Sequence, residues 1–198
     1  EREDILNTEE AFSAKGAAIK GFGQLCNKKY FLLDKNYKLK TSLIKNYIKN
    51  NPNKKFVFFG FTSFVWQYFI EILNKKKIFF EKNNSILIHG GGWKKMKSLN
   101  ISNNKFKKNC KKIIGCSKVF NYYGMIEQAG SVYLECSQGF FHCSIFSDIL
   151  IRNSNLEPCK LKEIGLIQTM SLLPLSYPGH NLLTEDLGIV HGIDNCKC

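Results

Sequence analysis

Residues 56–73, FVFFGFTSFVWQYFIEIL, constrain the fold of this chain more than any other stretch. The run carries no charge until Glu71, so its uncharged part ends at Ile70. That is short of the roughly 20 apolar residues a membrane-spanning helix needs. Gly60, Thr62, Ser63 and Gln67 also interrupt it, and no membrane span is expected. The run must therefore be buried in protein. It reads as a buried strand over residues 56–59, a glycine-containing turn, and a helix over 63–74 that buries Phe64, Trp66, Tyr68, Phe69, Ile72 and Leu73.

The same grammar repeats downstream. Residues 85–89 form a second buried strand that runs straight into Gly90-Gly91-Gly92, then 105–114 predict a helix and 118–122 a strand. Alternating strand and helix predicts a parallel α/β sheet. Upstream, residues 1–18 read as a helix ended by Gly21-Phe22-Gly23, 30–34 as a short strand, 39–50 as a helix, and Asn51-Pro52-Asn53 as a turn. After Gly130 helical periodicity fades, and short strands are expected at 131–136, 140–143, 148–152, 164–170 and 188–191. The expected organisation is an α/β part over 1–145 followed by a mainly β segment over 146–198.

The net charge is +13, but only Arg2 and Arg152 are arginine. Base readout in nucleic acids leans on the bidentate guanidinium, whereas the lysines here lie in short scattered runs such as Lys75-Lys76-Lys77 and Lys111-Lys112. A solvated lysine surface is the reading, with no nucleic-acid partner, and its positive field favours anionic ligands such as nucleotides and carboxylates. Eight cysteines occur without a pair of CxxC knuckles, so no structural zinc site is expected. Cys196-Lys197-Cys198 is the one close pair. No apolar signal segment opens the chain, and reduced thiols in a cytoplasmic protein are expected. Cys136 and Cys143 lie in apolar strand contexts, where a thiol stays protonated and inert.

Three segments carry chemistry. A buried strand ending in Gly90-Gly91-Gly92 is a ligand loop at a strand end, where glycines let backbone approach a ligand. Asn121-Tyr122-Tyr123-Gly124-Met125-Ile126-Glu127-Gln128 joins an aromatic face, a glycine and a carboxylate. The ring can pack on a purine and the carboxylate can hold phosphate-bound Mg²⁺. In Leu183-Thr184-Glu185-Asp186-Leu187-Gly188, an aspartate beside a strand has two oxygens with which to accept both ribose hydroxyls. Taken singly, each also fits a plain structural role: a glycine bend, a core tyrosine with a helix-start acid, a polar turn.

Taken in order, the three resemble the superfamily of adenylate-forming enzymes. GFTSFVWQYF (60–69), HGGGWK (89–94), YYGMIEQAGSVYLEC (122–136), SDILIR (147–152) and GLIQTMSLLPLSYPGHNLLTEDLG (165–188) resemble the acyl-protein synthetase family of bacterial luminescence. The resemblance implies an α/β fold, the parallel-sheet subdomain of an adenylating domain followed by a mainly β segment. It implies an acid–thiol ligase that uses ATP and Mg²⁺ to activate a long-chain fatty acid as acyl-AMP and loads the acyl group on a cysteine. Acyl reductase and acyltransferase subunits are the implied partners. Gly90, Gly91 and Gly92 would line the adenine and acyl site, Tyr123 and Gly124 cover adenine, Glu127 hold Mg²⁺ and Asp186 hold the ribose, with Lys94 a further candidate by proximity.

Ile126 departs from the family pattern, which has threonine there and so a hydroxyl for the α-phosphate. Glu185 stands at the superfamily glycine. No Ser/Thr/Gly-rich phosphate loop precedes residue 60, and no small C-terminal domain follows Cys198. An incomplete domain is therefore expected, with the catalytic lysine and acceptor cysteine outside this chain and no acyl-protein formed by these residues alone. Two rival readings are a ligase for another acid, such as an aryl acid, and a non-catalytic remnant.

Overall fold

The computed structural model describes residues 13–81, 83–175 and 177–198. The chain divides into two units, Glu1–Asn121 and Tyr122–Cys198.

In the first unit, β1 (Phe56–Phe61) lies parallel to β2 (Ser85–Gly90), paired from Phe56↔Ser85 to Phe61↔Gly90. A parallel pair needs a crossover, and the apolar run supplies it as α3 (Thr62–Phe64), a π-helical segment (Val65–Ile70) and α4 (Glu71–Lys75). The expected helix over 63–74 is thus present, but its middle is widened. That middle buries Val65, Trp66, Phe69 and Ile70. In β2, Ser85, Leu87 and His89 are buried and alternate with half-buried Ile86 and Ile88, the period of two of a strand.

Helix α5 (Asn103–Ile114) follows, and buries Phe106, Cys110, Ile113 and Ile114 along one stripe. The Ser102 hydroxyl accepts the Lys105 N–H at 3.3 Å, capping its start. Gly115 ends it at φ +71, and a Cβ there would run into the carbonyl oxygen of Glu81. Phe106, Ile70, Leu73, Leu87, Ile113 and Ile114 form the centre of the core. Trp66 and Phe69 belong to this core and Trp93 packs against it.

Two upstream expectations change. The strand at 30–34 reduces to a single bridge, Leu33↔Leu39. The Asp34 carboxylate accepts the N–H groups of Asn36 and Lys38, both at 2.9 Å, and this local turn replaces a ladder. Residues 1–12 of the expected N-terminal helix lie outside the described residues. Its described part, α1 (Ala14–Gly23), continues through Gly21-Phe22-Gly23 instead of stopping there, with Ser13 as its cap. Helix α2 is Thr41–Asn50.

Strand β3 (Lys118–Tyr123) passes from the first unit into the second. Its last residues pair antiparallel with β4 (Tyr133–Glu135), which pairs with β5 (Phe141–His142), giving the sheet order β1-β2-β3-β4-β5. A second, antiparallel sheet follows, β6 (Ser147–Arg152), β7 (Ile164–Ser171) and β8 (Asn181–Ile189). β8 starts seven residues before the expected 188–191, so Thr184-Glu185-Asp186 sit in mid-strand. Among the described residues no helix is long and apolar enough to cross a membrane.

Candidate functional site

The glycine loop grows out of the end of β2. One hydroxyl locks its base. Thr62 Oγ1 donates its single proton to the Gly90 carbonyl at 2.9 Å, so it accepts from His89 Nδ1, also at 2.9 Å. His89 is itself buried against the Phe106 ring, at 4.3 Å between centroids. Gly91 and Gly92 then take φ of +75 and +63, in the left-handed region that favours glycine. At Gly91 a Cβ would also sit 2.7 Å from Phe61, while Gly92 has open space around it. The loop therefore presents bare backbone where β1 and β2 end. Phe61 and Gly60 also line an apolar cavity of about 910 Å³ with Phe22, Phe59 and Ile88.

The second unit holds Tyr123, Gly124, Glu127 and Asp186. Tyr123 ends β3 and Asp186 lies in β8, and the phenol donates to Asp186 Oδ2 at 2.8 Å. Burial, then the hydrogen bond and charge of Asp186, push the Tyr123 phenol well above its usual range, so it stays protonated and donates. The Asp186 N–H goes to Thr184 Oγ1 at 3.2 Å, and Thr184 in turn donates to the Ile167 carbonyl at 2.9 Å. The carboxylate is thus held by its strand and exposed at its tip. Gly124 lies close under the carbonyl of Ser131, where a Cβ would stand at 3.1 Å.

Glu127 is exposed in a single 3₁₀ turn, Ile126–Gln128. What positions it is Gln128, the last residue of that motif and one to which the sequence assigns no role. Gln128 is buried, and its Nε2 donates to the carbonyls of Gly179 at 3.0 Å and Thr169 at 3.4 Å. The backbone of Glu127 packs on Gly179, where a Cβ would come within 2.6 Å of its carbonyl oxygen. A polar residue beside an exposed acid was the available sequence signal. Ile126, half-buried, brings no hydroxyl to this turn.

One cysteine departs from expectation. Burial raises the Cys136 thiol, but backbone hydrogen bonds at Phe140 and Gln138 and side-chain bonds from His142 and Cys196 outweigh it and bring it down to about 6. The inert thiol expected from its apolar neighbours is therefore corrected: sequence context shows the neighbours in the strand, not the amides folded over the sulfur. At Cys143 the direction is the expected one, raised by partial desolvation and then by Asp148, although the residue itself is exposed.

Solved structures share this fold. The chain resembles O-succinylbenzoate coenzyme A synthetase (MenE) from Bacillus subtilis in complex with ATP and magnesium ion, with a TM-score of 0.50 and 16% identity over 76% of this chain and 32% of that one. It also resembles the anthranilate CoA ligase AuaEII in complex with anthranoyl-AMP, with a TM-score of 0.52 and 9% identity over 73% of this chain and 29% of that one. The fold is that of part of an adenylate-forming enzyme, and the chain spans about a third of the length of these structures. No curated protein sequence matches significantly. The model of the family described as Acyl-protein synthetase, LuxE matches residues 9–198, and the chain belongs to that family.

Proposed function

We propose that this chain is the nucleotide-binding part of an acid–thiol ligase that activates a long-chain fatty acid with ATP and passes the acyl group to a protein thiol. In the first step a fatty carboxylate oxygen attacks the α-phosphorus of ATP, forming acyl-AMP and releasing pyrophosphate. In the second, a thiolate attacks the acyl carbon and AMP leaves. The single observation that carries the reading is the Tyr123–Asp186 hydrogen bond, which joins the Tyr-Gly-x-x-Glu and Thr-x-Asp segments across 63 residues.

In this reading the Tyr123 ring packs on adenine and its hydroxyl orients the Asp186 carboxylate. A carboxylate has about four acceptor sites, so one bond from Tyr123 leaves capacity for both ribose hydroxyls. Gly91 and Gly92 let the loop backbone approach the nucleotide or acyl group, and Lys94 is a further candidate there. The exposed oxygens of Glu127 suit a hard cation. Mg²⁺ held there would neutralise phosphate charge. The apolar cavity beside Phe61 supports an aliphatic acid as substrate. A cytoplasmic location, and acyl reductase and acyltransferase partners, belong to the same proposal.

ATP–pyrophosphate exchange across a panel of acids, run on the complete protein, tests it. Exchange is expected with long-chain fatty acids. Exchange with aryl acids alone would move the substrate class, and none with any acid would favour a remnant. Two variants sharpen the assignment. Tyr123→Phe keeps the ring and removes one hydrogen bond to a charged acceptor, worth roughly 1.5–3 kcal/mol, so KM for ATP should rise about tenfold or more. Glu127→Gln keeps the shape and removes the charge. Adenylation should fall by at least about 100-fold, the upper end for loss of a ligand's supporting partner, with nucleotide binding much less affected. A parental rate over a Mg²⁺ titration would leave Glu127 as a simple turn residue.

A further inference from the structure

Cys136, His142, Cys196 and Cys198 place four ligand atoms within 4.8 Å of one another. We propose that they bind one Zn²⁺ ion in a tetrahedral site of three thiolates and one imidazole. All four belong to the second unit. Zn–S bonds of about 2.3 Å and Zn–N bonds of about 2.0–2.1 Å at tetrahedral angles put sulfurs about 3.8 Å apart and sulfur and nitrogen about 3.6 Å apart. Cys136 Sγ and Cys196 Sγ stand at 3.9 Å, and Cys198 Sγ and His142 Nε2 at 3.7 Å. These two distances match opposite edges of such a tetrahedron, and the other ligand pairs lie within 4.8 Å, so drawing the four atoms onto one ion needs only short movements. A disulfide is a different geometry, with sulfurs about 2.05 Å apart.

The local backbone is built for the purpose. Cys136 follows β4 and opens a tight turn, with its N–H to the Phe140 carbonyl at 2.8 Å and the Gly139 N–H returned to the Cys136 carbonyl at 3.0 Å. Gly139 adopts φ +86 in that turn. The Gln138 N–H points at Cys136 Sγ at 3.3 Å, the kind of outer hydrogen bond that steadies a metal-bound thiolate. The register Leu134↔His142 brings the imidazole alongside on β5. Cys196 and Cys198 come from the segment beyond β8, so the ion would tie that segment to the β4–β5 hairpin. Tyr133 of β4 pairs with Tyr123, which makes the ion an anchor for the strand beside the nucleotide candidate. Four protein ligands leave no open position, which marks a structural ion. Soft thiolates select zinc over magnesium or calcium, and binding releases the protons of the thiols to solvent. The site stands whatever acid the enzyme activates.

The test is the metal content of the full chain, purified reduced, without a histidine tag, with Zn²⁺ supplied and loosely bound metal removed. About one Zn²⁺ per chain is expected, and Co²⁺ should replace it with thiolate charge-transfer bands and tetrahedral d–d absorption. Cys136→Ser and Cys196→Ser should lose the ion, Cys159→Ser should keep it, and stripping by a strong chelator should lower the melting midpoint. Cys196→His exchanges one ligand for another. It should retain the ion with a shifted cobalt spectrum, which separates lost ligation from lost folding. A metal-poor wild type, a Co²⁺ spectrum without thiolate bands, or undiminished zinc in the Cys136→Ser and Cys196→Ser variants would overturn the proposal.

Discussion

Asp186→Ala in the complete protein is expected to lower kcat/KM for ATP by about 10²–10⁴-fold. Each hydrogen bond to a charged acceptor is worth roughly 1.5–3 kcal/mol, and both ribose hydroxyls lose theirs. At about 1.4 kcal/mol per factor of ten, two such bonds give that range. The fold should survive. Asp186 is exposed, and it lies where the β7–β8 register shifts, with Gln168↔Leu183 and Leu166↔Leu187 keeping the pairing on either side. Asp186→Asn, which retains one acceptor oxygen, should fall between alanine and the parent. Steady-state exchange kinetics with ATP varied, alongside circular dichroism, provide the measurement. An unchanged KM for ATP would remove Asp186 from the nucleotide.

Phe106→Ala should have the largest effect on stability. The side chain is 1% exposed. Its ring lies 4.3 Å from His89, 5.7 Å from Trp93 and 6.1 Å from Trp66, centroid to centroid. Removing a buried phenylalanine costs about 3–5 kcal/mol, a lost transfer free energy plus a cavity. Because β2 carries His89 directly into the glycine loop, the loss should also loosen Gly90–Gly92. Urea unfolding followed by tryptophan fluorescence gives the value. A change below about 1 kcal/mol, the cost of an ordinary substitution, would show that the site collapses around the gap and that this packing does not hold the loop.

The elements most legible in the sequence were those whose pattern is local. The apolar run 56–73, the strand ending in three glycines and the amphipathic stripe of α5 each state their burial in their own spacing. Segments that depend on a partner read less well. Residues 30–34 look like a strand but find only one bridge, since Asp34 takes the nearby N–H groups. The Thr184-Glu185-Asp186 segment looks like a turn because it is polar, yet it is carried inside β8, as an irregularity between Leu183, paired with Gln168 of β7, and Leu187, paired with Leu166. The π-helical middle of the crossover has no single-residue signal. It buries Val65, Trp66, Phe69 and Ile70 and leaves Gln67 exposed.

The sequence by itself determined the α/β character, the motif order and the family, because periodicity and motif spacing are properties of the chain in one dimension. Tertiary structure alone decided which side chains meet. Tyr123 and Asp186 touch across 63 residues, Gln128 fastens the turn of Glu127 to Thr169 and Gly179, and Cys136 and His142 meet Cys196 and Cys198. Each of those meetings is set by strand register and by the return of a distant segment, and neither can be read from the residues on one side of the contact.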